Sequence, residues 1–115
     1  MSTPGRDRAN SIRDLNDAFR NDLSSGHLML TRGVHALGLP GSAAAIRKMV
    51  GFAAFTPEND PYGEHDFGII EVDGERLYWK IDYFQKDSGL TAGAEHPEDV
   101  ATTERVVTIM LASEY

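Results

Sequence analysis

The chain contains no cysteine, which excludes disulfide staples, thiolate nucleophiles and Cys-ligated zinc and is compatible with a reducing compartment. Basic residues are scarce: Lys and Arg number 11 against 18 Asp and Glu, a net charge of −7. A nucleic-acid backbone is therefore disfavoured as a direct partner, and a protein with a basic surface is the expected one. No stretch approaches the ~18 continuous apolar residues of a membrane span. The opening MSTPGRDRAN has no apolar core of a secretory signal, so no membrane association and a cytoplasmic location are expected. Catalytic signatures are absent as well. His27, His35 and His96 stand in no HExxH or HxH spacing, and no G-x-S-x-G elbow marks a nucleophile. Gly38-Leu39-Pro40-Gly41 and Gly89 to Gly93 lack the GxxxxGK[ST] pattern of a phosphate loop. No cofactor is predicted.

What is present points to one small α+β domain. At 115 residues and 41% hydrophobic composition the chain suffices for one core and not for two. Residues 1–10 are small or polar, with Pro4 and Gly5, and read as a flexible N-terminal arm before a single domain over 11–115. Ser11 to Asp14 resembles a capping box. Ile12, Leu15, Phe19 and Leu23 recur at intervals of three and four, with Arg13, Asn16, Asp17 and Arg20 on the other faces, which predicts an amphipathic helix. Ser24-Ser25-Gly26 ends it, and His27 to Thr31 reads as a short strand. Gly33 to Gly38 reads as a turn or brief helical segment. A second helix is expected from Pro40-Gly41-Ser42 to just before Thr56-Pro57, burying Ile46, Met49, Val50, Ala53 and Phe52 or Phe55.

The strongest signal is Asp73-Gly74 between two alternating apolar runs, a two-residue hairpin turn that needs positive φ at both positions. It sets Val72 opposite Glu75, Glu71 opposite Arg76, Ile70 opposite Leu77, Ile69 opposite Tyr78, Gly68 opposite Trp79 and Phe67 opposite Lys80. Ile70, Val72, Leu77, Trp79, Ile81 and Tyr83 share the core face, with Gly68 leaving room for the indole. Glu71, Arg76, Tyr78, Lys80 and Asp82 share a mixed, partly exposed face. Gln85 to Glu98 reads as a long mobile loop. Thr102 to Leu111 carries Val106, Val107, Thr108 and Ile109 and reads as a strand covered on both faces, with a helix opening at Pro97-Glu98-Asp99 as the alternative. The fold expected is a small antiparallel sheet of about four strands, including the 67–84 hairpin and a C-terminal strand, packed on two N-terminal helices.

The segments IRDLNDAF (12–19), FTPENDPYGEHDFG (55–68), EVDGERLYWKIDYF (71–84) and RVVTIMLASEY (105–115) together resemble a family of short bacterial proteins classed as a domain of unknown function. NDPYGEHDFG and WKIDYF are its most specific parts. The resemblance implies a small α+β protein of bacterial or mobile-element origin and brings no catalytic residues with it.

Chemistry, if any, belongs to the loop Glu58 to Asp66. Asp60, Glu64, His65 and Asp66, with Tyr62 between them and Asp82 one residue off register, form an oxygen-rich set plus one imidazole, suited to Mg²⁺ or Mn²⁺ or to an oriented general base. The competing structural reading makes Asn59 to Gly63 a turn whose side chains bond their own backbone, with His65 capping the strand entry. Two function classes follow. The favoured one is a non-catalytic binding protein acting through its acidic surface and the mixed hairpin face, in one form an inhibitor encoded by a mobile element that blocks a host nucleic-acid or defence enzyme. The alternative is a small metal-dependent hydrolase or nuclease using the 58–66 loop. An exposed strand edge would also support a homodimer.

Overall fold

The computed structural model describes residues 4–115. It orders them as α1 (Pro4–Asn21), β1 (His27–Leu30), α2 (Arg32–His35), α3 (Gly38–Val50), β2 (Phe67–Val72), β3 (Glu75–Gln85) and β4 (Thr103–Leu111). Single 3₁₀ turns follow α1 at Leu23–Ser25 and β4 at Ala112–Glu114. The protein is an α+β fold with its helices N-terminal and a four-stranded sheet in the order β1-β4-β3-β2.

The hairpin forms in the register its turn dictates. Asp73 and Gly74 both take positive φ, 53° and 79°, as a type I′ turn requires. All six pairs from Phe67–Lys80 to Val72–Glu75 are opposed as the alternation predicts. The C-terminal segment is a strand from Thr103 onward, antiparallel to β3; Asp99 to Ala101 before it are turn residues and not helix. One pairing departs from the antiparallel expectation. β1 lies parallel to β4, with His27 opposite Val106 and Leu30 opposite Ile109, so the sheet is mixed.

The helices pack on the sheet face that carries Ile70, Val72, Leu77, Trp79, Ile81, Val107 and Ile109, joined by Phe19, Val34, Ala45 and Met49 in one buried cluster. Trp79 is fully buried. Phe52 and Phe55 meet its ring edge-on at 5.5 and 6.2 Å. Gly68 faces the indole across the hairpin, and a Cβ there would collide with Nε1.

Two boundaries differ from the sequence reading. Helix α1 starts at Pro4 and takes in most of the expected arm, whose residues 1–3 lie outside the described residues. The fixed φ of a first-turn proline and Asp7 in that turn favour this earlier start, and Arg8 ties the helix to Glu98 at 2.7 Å and to the Glu95 carbonyl. Helix α3 stops at Val50, so Ala53 is exposed. The last carbonyls that another turn would have satisfied are taken by Arg20, which donates from Nη1 to Met49 O and Phe52 O at 2.9 Å each. Past Gln85, the last residue of β3, the segment to Glu98 forms no helix or strand beyond a single bridge from Gly93 to Phe84, and its backbone is pinned by Gln85 N–H to Ala92 O and Ala94 N–H to Tyr83 O.

Burial makes the hairpin faces unequal in energy. Trp79→Ala is expected to cost about 3–5 kcal/mol, Gly68→Ala about 1–3 kcal/mol through overpacking against the indole, and Tyr78→Ala less than half the Trp79 loss. Urea unfolding midpoints at constant slope check the order; a Tyr78 loss equal to that of Trp79 would reverse the assigned faces.

Candidate functional site

The 55–66 segment leaves the end of α3, crosses the first turns of α1 and enters β2. Its turn is built by side chains that bond the backbone. Asn59 Oδ1 accepts the Thr56 N–H at 3.0 Å, and Asn59 Nδ2 donates to Ala54 O at 3.1 Å. Asp60 Oδ1 accepts the N–H groups of Glu64 and His65 at 3.2 and 3.3 Å, an Asx-type closure that holds Gly63 and His65 in the left-handed region, φ 67° and 56°. A positive φ at a non-glycine residue stores strain and marks a position fixed by its surroundings.

Those surroundings hold the His65 ring on three sides. Nδ1 lies 2.9 Å from Asp17 Oδ1 on α1, and Nε2 lies 3.7 Å from Asp60 Oδ2. The ring stacks on Phe55 with centroids 3.8 Å apart and planes 3° from parallel. Asp17 is placed in turn by Arg20 Nη2 at 3.2 Å. The Arg20 guanidinium sits 4.8 Å above Trp79 and 5.3 Å from Phe55. The site loop is thus anchored to the core through one buried cation.

Asp66 turns to a different set of partners. Its Oδ2 accepts the Tyr83 hydroxyl at 3.1 Å. Asn16, fully buried, donates to that hydroxyl oxygen at 2.8 Å and to the Glu64 carbonyl at 2.9 Å. Asn16 Oδ1 accepts from Arg105 Nε at 2.7 Å. Burial pushes the Asp66 carboxyl up from its ordinary value, opposed by the Tyr83 hydrogen bond and aided by the charge of Asp60. Glu64 is also raised, by burial first and then by neighbouring Asp66. The Tyr83 hydroxyl is raised far above the phenol range, by burial and then by the same carboxylate.

The consecutive residues Glu64, His65 and Asp66 therefore do not converge on a shared point. His65 faces Asp17 and Asp60, Asp66 faces Tyr83, and Asp82 pairs with Lys80 at 3.0 Å. Among the described residues no group of three or more His, Asp or Glu side chains could hold a metal ion. What the segment does form is an open cleft of about 770 Å³ against the start of α1, lined by Arg6, Asn10, Phe55, Asp60, Tyr62, Glu64 and His65 among others. Tyr62 stands at its rim, 78% exposed.

The other candidate set, on the mixed hairpin face, is dispersed along β2 and β3. Glu71 and Arg76 are exposed cross-strand neighbours. Tyr78 packs its ring against Phe67 at 5.4 Å and Tyr115 at 5.3 Å. The sequence reading missed Asp17, Arg20 and Asn16 because it placed all three on the solvent side of α1. The structure buries Asn16 and Arg20. Their four-residue spacing, in step with Ile12 and Phe19, is the signal that a polar seam runs down the core side of the helix.

The profile of the family described as "Protein of unknown function (DUF3768)" matches residues 30–114. The match takes in the whole site loop and hairpin and leaves Ile12 to Phe19, with Asn16 and Asp17, outside it. No curated protein and no solved structure matches the chain.

Two measurements test this construction. Arg20→Met is expected to cost about 3 kcal/mol, because the Met49 and Phe52 carbonyls and Asp17 lose their donor together; a loss below about 0.5 kcal/mol in urea unfolding would mean the guanidinium holds nothing. The Asp66 shift also gives a pH signature. The unfolded carboxyl keeps its ordinary value of 3.8 and the folded one lies above it. Its proton thus favours folding fully below 3.8, and that contribution is lost as pH rises through the folded value. Asp66→Asn, which keeps an acceptor for Tyr83, is expected to gain thermal stability relative to the parent on going from about pH 4 to about pH 7. A difference that stays flat with pH would contradict it.

Proposed function

We propose that this chain, which belongs to the DUF3768 family of proteins of unknown function, is a small binding protein without catalytic activity that engages a basic protein surface through the cleft between α1 and the 55–66 loop. One observation carries the reading. His65 Nδ1 is held by Asp17, Nε2 stands 3.7 Å from Asp60 and the ring plane lies on Phe55, so the one imidazole of the cleft shapes the loop, whereas Tyr62 is exposed at the rim and half-buried Glu64 lines the opening. A general base needs a nitrogen within reach of the proton it removes; recognition needs a rigid loop with an exposed aromatic, which this is.

The charge supports a cationic partner. Asp7, Asp14, Asp17, Glu58, Asp60, Glu64 and Asp66 outnumber Arg6, Arg8, Arg13 and Arg20 on the helix and loop that form this side of the molecule, in a chain of net charge −7. Acidic surfaces of this kind accelerate encounter with basic ones and make the complex salt-sensitive. The specific form we favour is cytoplasmic and bacterial: an inhibitor encoded by a mobile element that occupies the basic nucleic-acid channel of a host enzyme.

Capture from a bacterial host lysate by the immobilised protein tests this. A bound protein is expected that elutes as salt is raised to about 0.5 M, that duplex DNA displaces, and that the double variant Tyr62→Ala/Glu64→Gln no longer retains. Tyr62 is exposed and Glu64→Gln keeps the size of a half-buried side chain, so the variant should stay within about 1 kcal/mol of the parent in stability. Equal capture by the folded variant, or capture indifferent to salt and DNA, would overturn the proposal.

A further inference from the structure

The four-stranded sheet has a second face, and among the described residues no helix packs on it. Strand alternation assigns to it Phe67, Ile69 and Glu71 of β2, Arg76, Tyr78, Lys80 and Asp82 of β3, and Glu104, Val106, Thr108 and Met110 of β4, with His27 and Met29 of β1; Val106 and Met110 are already buried, and the rest are half-buried or exposed. Solvated faces of such sheets are ordinarily polar. This one is not. Of the six large hydrophobic residues exposed among the described residues, Met29 (54%), Ile69 (43%) and Tyr115 (77%) belong to it. The Tyr115 ring sits edge-on to Tyr78 and Phe67 at 5.3 and 6.4 Å, extending the apolar strip beyond the strands.

Its charge distinguishes it from the rest of the surface. Two cations, Arg76 and Lys80, stand against three anions, Glu71, Asp82 and Glu104. Lys80 is paired with Asp82 at 3.0 Å, and Glu104 faces His27 at 3.3 Å. The face is close to balanced in a chain of net charge −7, so nearly all of that charge lies elsewhere. A basic partner is drawn to those other surfaces. A second acidic copy is repelled by them and meets least repulsion here, where cations and anions alternate and each can face its opposite on the partner.

We propose that this helix-free face is the interface for a second copy of the chain, the two sheets stacking face to face with the helical layers and both acidic clefts turned outward. Stacking at about 10 Å is the ordinary spacing of packed sheets. The thirty strand residues, at about 3.3 Å rise and about 4.8 Å spacing, span a face of about 480 Å², below the about 800 Å² that each partner of a standard interface contributes, which suits a weak, concentration-dependent pair. Stacking is preferred to joining along the β2 edge because Lys48 Nζ donates to the outward Glu71 carbonyl at 2.6 Å. An edge carbonyl already taken by a lysine reaching over from α3 is not free to accept from an added strand.

Sedimentation velocity of the full chain from about 5 to about 500 µM tests this. A concentration-dependent monomer–dimer equilibrium is expected, with dimer favoured as salt rises and the −7 charges are screened. Ile69→Asp and Met29→Asp, both at exposed positions, are each expected to raise the dimer Kd at least about tenfold while leaving the circular dichroism melt in place. Tyr62→Ala in the cleft should leave it unchanged. A strictly monomeric parent at the highest concentration would overturn the proposal, as would a dimer insensitive to Ile69→Asp and Met29→Asp.

Discussion

The structure depends on where the Arg20 guanidinium sits. It is a cation at 5% exposure, above the Trp79 ring and beside Phe55, and it donates to two carbonyls at the end of α3 and to Asp17. A buried charge is tolerated only when its donors are met and its field is answered. Here the aromatic faces, the carbonyls of Met49 and Phe52 and one carboxylate answer the charge, while Nε has no hydrogen-bond partner among the described residues. Removing any of these leaves the others without a reason to be where they are. The early stop of α3, the inward turn of Phe52 and Phe55 and the placement of the site loop are consequences of this one contact.

The second buried seam works in parallel. Arg105 on β4, Asn16 on α1 and Tyr83 on β3 are joined by hydrogen bonds of 2.7 and 2.8 Å, and Arg105 also lies 5.2 Å from the Tyr83 ring. Together the two seams attach α1 to the sheet by polar contacts where a larger domain would use apolar area. A chain of this size buries a limited fraction of its surface, and satisfied polar networks fix a unique arrangement at the positions where packing alone would allow several. The same networks set the electrostatics of the site: Asp66 is held part-buried by Tyr83, and its charge raises Glu64 next to the cleft.

The sheet was legible in the sequence because its signals are local. Asp73-Gly74 sets a turn, the turn sets register, and alternation then assigns every residue of β2 and β3 to a face. The β-branched run 106–109 marks β4 as a strand, with apolar residues on both alternations. The parallel placement of β1 was not legible, since four residues of His27–Leu30 say nothing of which strand they join. Nor were Asn16 and Arg20, because reading polarity as exposure holds only until a polar side chain finds a buried partner far along the chain, here at separations of 29 to 89 residues. For the site loop, composition identified Asp60, Glu64, His65 and Asp66 as a group. Its geometry divides them, because three consecutive side chains on a left-handed turn point to different neighbours.

The two surfaces left over after folding differ in kind, and the difference follows from the chain's topology. All three helices fall on one side of the sheet, so the polar faces of α1 and the loop beside it gather carboxylates at the cleft while the opposite sheet face keeps what strand alternation gives it, apolar residues interleaved with both signs of charge. An acidic cleft can discriminate by charge and a balanced sheet face cannot. Like-charged molecules that approach by the cleft side lose Coulomb energy, and those that approach by the sheet lose little. Specificity for a basic partner on one side and tolerance of an identical copy on the other are therefore compatible in a single layer of strands. A dimer built on the sheet would leave both clefts free, so that a partner presenting two basic sites would be held with the gain in effective concentration that two linked contacts provide.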